Sequence, residues 1–96
     1  MQTRDDILRK LKFLKPVLAK KYHLYSIGLF GSYARGDQTE GSDVDVLVDV
    51  DPLIGMGFVE LADRIEESLG IKTDVVPLDG VKPRYRPYIL KDLINV

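Results

Sequence analysis

Hydrophobic residues recur at helical spacing from the start of the chain. Ile7, Leu8, Leu11, Leu14 and Leu18 fall on one stripe of a 3.6-residue helix. Thr3 followed by Asp6 has the form of a capping box, with Asp in place of the preferred Glu, and predicts the helix start. Pro16 breaks the pattern: it has no N–H and its ring crowds the preceding turn, so it either kinks one helix or opens a second. The period changes at Leu24, where LYSIGLF (24–30) reads as a strand. DVDVLVDV (43–50) alternates strictly. Val44, Val46, Val48 and Val50 point one way, and Asp43, Asp45, Leu47 and Asp49 the other. Between these strands Ser32 to Arg35 predicts a short helical turn, and after them DPLIGMG predicts a loop. Phe58, Leu61, Ala62, Ile65 and Leu69 return to helical spacing, closed by Gly70 as a C-cap. IKTDVVPL (71–78) predicts a third strand ending at Pro77. From Pro83 onward Tyr88, Ile89, Leu90, Leu93 and Ile94 predict a last helix whose start Pro87 leaves open.

This order predicts an α/β (α+β) architecture, a small mixed β-sheet covered by helices, in one domain spanning residues 1–96. The even-numbered valines belong to its core, so the aspartate face is expected to open onto a cleft. Composition adds exclusions. Apolar residues make up 45% and charged residues 30%, with a net charge of −1, so nothing global draws the chain to nucleic acid or an anionic membrane. There is no cysteine, hence no disulfide framework or thiolate metal site; the expected location is the cytoplasm. Lys10, Lys12, Lys15, Lys20 and Lys21 fall mainly between the apolar positions of the first helix and read as its solvated face rather than a polyanion site. His23, between helix and strand, reads as a surface residue.

The chemistry concentrates in LFGSYARGDQTEGSDVDVLVDV (29–50). Asp43 and Asp45 lie at i and i+2, on one face of a strand and roughly 6.6 Å apart along it. Two carboxylates so placed repel each other and gain little from packing. A divalent cation between them reverses that cost, and hard oxygen ligands suit Mg²⁺. A D-x-D pair is weak alone, since solvent-facing strands carry scattered acids; Asp49 and Asp51 read as such. The upstream Gly31-Ser32 strengthens it. Gly31 permits a tight strand exit and close approach of a ligand, and Ser32 offers a hydroxyl at the start of a helical turn whose N–H groups can face an anion. Arg35 adds a charged fork for phosphate oxygens. Ser42 reads as a cap of the turn into the strand.

GSYARGDQTEGSDVDVLV (31–48) resembles the motif of the DNA polymerase beta-type nucleotidyltransferase superfamily: Gly-Ser, ten residues, then Asp-x-Asp. Its wording is most similar to the minimal nucleotidyltransferases, the small partners of HEPN-domain proteins in prokaryotic toxin–antitoxin pairs. The likeness runs from the first helix through LGIKTDVVPL to KPRYRPYILKDLINV. It implies a polymerase beta-like nucleotidyltransferase fold, with Gly31 and Ser32 in the triphosphate-binding turn, Asp43 and Asp45 as metal-binding carboxylates, and Asp74 on the following strand as the third. Arg35 matches a common basic position of less settled role.

The resemblance further implies ATP as substrate and two Mg²⁺ ions about 3.5–4 Å apart, held by Asp43, Asp45 and Asp74. In-line attack at the α-phosphorus would expel pyrophosphate without a protein nucleophile, with Asp74 receiving the incoming hydroxyl's proton. No second lobe is evident to bind an acceptor, so another polypeptide is expected to present it. For the resembled proteins this is a HEPN ribonuclease toxin, silenced by AMP on a tyrosine; no direct nucleic acid or membrane binding is expected. Two other readings stay open. One is a non-catalytic module that neutralises its partner by burial, using the apolar tail. The other is a transferase for a small hydroxylated molecule, which requires an enclosed pocket.

Overall fold

The computed structural model describes residues 1–96. Thr3 caps helix α1 (Arg4–Tyr22) as its spacing predicts. Its hydroxyl accepts from the Asp6 N–H at 3.2 Å and the Asp6 carboxylate accepts from the Thr3 N–H at 2.9 Å. Pro16 neither ends the helix nor starts another. It lies on the exposed side, as does Lys12, whose carbonyl loses its intrahelical partner and is left to water. His23 closes α1 in the left-handed conformation (φ 53°) and is exposed.

Strand β1 (Leu24–Phe30) pairs antiparallel with β2 (Val44–Val50). A short 3-10 turn (Pro52–Ile54) leads into α3 (Gly57–Leu69), which crosses over to β3 (Thr73–Pro77), parallel to β2. Gly70 caps α3 with positive φ, donating its N–H to the Glu66 carbonyl. A second 3-10 turn (Leu78–Gly80) and helix α4 (Arg86–Asp92) follow. The chain then adds a strand the pattern did not predict: β4 (Ile94–Asn95) lies antiparallel to β1, completing a four-stranded mixed sheet in the order β3-β2-β1-β4. Two residues carry no readable period, and their partners, Gly28 and Leu29, are far away in sequence.

One face of the sheet holds the core. Val44, Val46 and Val48 are fully buried there with Ile27 and Leu29, under Ile7, Leu11 and Leu18 of α1 and Leu61, Ile65 and Leu69 of α3. Each such side chain contributes about 1.5–3 kcal/mol of transfer free energy. The opposite face is thinner. Leu47 and Val81 are buried outside the main core, and the tail packs closely over β1. A Cβ at Gly28 would sit 2.6 Å from Leu93 Cδ1 and 3.0 Å from the Ile94 carbonyl oxygen, so a larger residue there would push against the tail.

Candidate functional site

The acids collect at one end of the parallel pair. Asp45 is in register with Asp74 across β2 and β3 and with Phe30, the last residue of β1. In-register neighbours on adjacent strands lie about 4.8 Å apart and share a face. Asp43, the first residue of the predicted strand, sits just before the observed β2 and is exposed like Asp74. Asp45 is half-buried. Burial pushes its carboxyl above the ordinary carboxylate value, Asp74 and then Asp43 push it further by repulsion, and the Arg35 charge offsets part of this.

Gly31 joins this acidic end to the helical turn. It has φ 76°, ψ −153°, and a Cβ built on it would collide with Oδ2 of Asp45. Glycine is thus required twice, for the backbone turn and for the approach of the carboxylate. Helix α2 (Ser32–Arg35) follows, anchored by Tyr33 and Ala34, which are 1% and 5% exposed and belong to the core cluster. That anchoring holds Ser32, half-exposed, next in the chain to the glycine that the Asp45 carboxylate approaches. The Ser42 hydroxyl accepts from the Thr39 N–H at 2.9 Å, the turn-closing role its position predicts.

One expectation needs correction. The cleft expected on the aspartate face does not lie at its acidic end: of that face only Asp49 lines a surface concavity, while Asp43, Asp45 and Asp74 line none, and the ends of β2 and β3 are open. Only Asp45 of the three is part-buried, and their carboxyls do not form a closed set of three ligands.

The donor set nonetheless fits a hard divalent cation. The Asp45 and Asp74 carboxylates form no hydrogen bond or ion pair within the chain, and that of Asp43 has only the exposed Lys72 at 4.0 Å. Neither Lys72 nor Tyr33 was singled out from the sequence, where a lone lysine and a tyrosine in a motif look ordinary. Arg35 is more engaged than predicted. It binds Asp37 at 3.0 Å and Asp92 of α4 at 2.7 Å, a pairing across 57 residues that no local signal reports.

Such an arrangement, a glycine turn with a hydroxyl beside carboxylates from two strands, suits metal-assisted transfer of a phosphate ester. Comparison with known proteins agrees with this chemistry. Residues 6–96 match the family model described as a nucleotidyltransferase domain. The Thermococcus cleftensis protein adenylyltransferase MntA is 34% identical over 97 residues, covering 100% of this chain and 98% of the relative. Among solved structures, one provisionally named a minimal nucleotidyltransferase superposes with a TM-score of 0.84 at 26% identity, covering 99% of this chain and 97% of that one. A chain in the crystal structure of a toxin–antitoxin with AMP-PNP gives a TM-score of 0.69 at 25% identity, covering 98% of this chain and 72% of that one. The chain therefore belongs to the nucleotidyltransferase domain family, as a minimal nucleotidyltransferase, and is an enzyme of that class.

Proposed function

We propose that this enzyme transfers AMP from ATP to a hydroxyl, a tyrosine by preference, of a partner HEPN-type toxin, and thereby acts as its antitoxin. The observation that carries the reading is Asp45: part-buried, in register with Asp74, and pressed onto the glycine that begins the Ser32 turn. It is supported by the relative named as a protein adenylyltransferase and by the likeness to a toxin–antitoxin chain with an ATP analogue. The open strand ends favour a macromolecular acceptor over a small molecule, which would need enclosure.

Asp43, Asp45 and Asp74 would hold two Mg²⁺ ions, which supply charge neutralisation at the phosphates and acidify the acceptor hydroxyl. The protein's own residues do the rest. Rotation of the exposed Asp43 and Asp74 side chains toward Asp45 assembles the ligand set. The Ser32 hydroxyl and the turn backbone orient the triphosphate so that pyrophosphate leaves in line with the attacking oxygen. Asp74, on the edge strand β3, would take the proton from that oxygen. Arg35 reaches phosphate oxygens by releasing Asp37 while keeping Asp92.

The test is incubation with α-labelled ATP, Mg²⁺ and a co-expressed HEPN chain. Label on that chain is expected, and is expected to disappear with Asp43→Asn/Asp45→Asn. If the double variant still neutralises the toxin fully, the chain works by stoichiometric burial instead.

A further inference from the structure

We propose that the outer face of α4 is a dock for an acidic polypeptide segment that carries the acceptor hydroxyl; this rests on the reading that the acceptor is a protein. Helix α4 buries none of its residues fully; Arg86, Ile89 and Asp92, and Leu93 just after it, are partly buried. Outward, Tyr85 (50% exposed), Tyr88 (74%) and Lys91 follow one another at i, i+3 spacing, so they form one stripe. Around this stripe stand Lys82, Arg84 and Arg86. None of these four cations has a carboxylate within 4.0 Å; Lys10, Lys12 and Lys20 of α1 lack one too, while Arg4, Arg9, Lys21, Arg35, Arg64 and Lys72 each have one.

In a chain of net charge −1, four such cations around two exposed tyrosines are a local excess of positive charge, and this one adjoins Arg35 through Asp92. Aromatic side chains ringed by unpaired cations match the anatomy of a protein interface whose partner is acidic. The location fits an acceptor. Asp92, at the end of α4, is tied to Arg35 of α2 at 2.7 Å, and α2 starts at Ser32, next in the chain to the glycine that the Asp45 carboxylate approaches. A segment lying along α4 toward its C-terminal end is therefore led to the acidic strand ends. Single-stranded nucleic acid fits less well. Stacking needs free ring faces, and Arg84 already lies over the Tyr85 ring, 4.9 Å from its centroid.

The probe is a random copolymer of glutamate and tyrosine, with a lysine–tyrosine copolymer and single-stranded RNA as competitors. Binding is read by fluorescence anisotropy without ATP, and transfer by label from α-labelled ATP. The wild-type chain should bind the acidic copolymer, and Lys82→Glu/Arg84→Glu/Lys91→Glu should weaken that binding about tenfold or more, in a salt-dependent way. Tyr88→Ala should weaken it severalfold at any salt concentration. The charge-reversed residues are exposed, so unchanged thermal unfolding and Mg²⁺–ATP binding are expected. Asp43→Asn/Asp45→Asn should abolish transfer and leave copolymer binding intact. Equal binding by wild type and charge-reversal variant, absence of wild-type binding, or tighter binding of RNA would each overturn the dock. Binding lost with α4 but no label transferred by the wild type would leave the dock standing and defeat the proposed transfer instead.

Discussion

The two sides of β2 do opposite work from the same backbone. Its even positions, Val44, Val46 and Val48, are fully enclosed between α1 and α3. Its odd positions run from Asp45, crowded by like charges at the Gly31 turn, through the buried Leu47 to Asp49 at the far end. A strand separates the two tasks because alternate side chains leave on opposite faces. Stability is thus gathered on the valine side, where nothing ionises. The acid side gives some of it up, holding charges that repel one another until a cation joins them. What the difference teaches is that Asp45 sits where its surroundings disfavour its charge, a cost that the proposed metal-binding role would offset.

The sharpest break in that comparison is Asp45→Asn, which keeps the shape and removes the charge. Transfer should fall by about a hundredfold or more, measured as label incorporated per minute. On the opposite face Val46→Ala should leave transfer per folded molecule unchanged. It should cost roughly 2 kcal/mol of stability, read from urea unfolding, because a filled layer becomes a cavity. Gly31→Ala should affect both sides at once. The positive φ costs about 1–2 kcal/mol, and the methyl displaces the Asp45 carboxylate, so transfer should drop as well. Thr3→Ala, far from either face, should cost about 1 kcal/mol through the lost cap and leave transfer intact.

The smallest expected effect concerns pH. The Asp45 carboxyl titrates above 3.8, so its contribution to stability is present in full below that value and lost as pH rises through its folded pKa. At neutral pH without divalent cations Asp45→Asn should therefore unfold at a slightly higher temperature than the wild type. The gap should close on acidification and also on adding Mg²⁺, which binds only the wild type well. A gap unchanged by either treatment would mean that the acids are not strained by their mutual charge.

Much of this was legible along the chain. Strict alternation assigned every valine of β2 to the core, and helical spacing located α1 and α3, because both periods are local consequences of backbone geometry. The Gly31-Ser32 and Asp43-x-Asp45 spacing pointed to the acidic end, and the family resemblance implied Asp74 on the following strand. The structure puts Asp74 in register with Asp45, which fits that expectation without testing the role. Of the two readings of Pro16 the structure keeps the single helix, where the proline lies on the solvent side and packing holds the turns on either side of it. The cleft was over-read: alternation tells which face an acid takes, not what covers that face.

The sequence by itself determined which residues are apolar at which period, hence the helices, the three main strands and the side of β2 that carries acid. Only the tertiary structure decided that Asp45 presses on Gly31, that Arg35 is tied to Asp92, that β4 closes the sheet, and that the acidic end lies open. Those features join residues many positions apart, and contacts of that kind are settled by how packed elements exclude water, which no local pattern encodes.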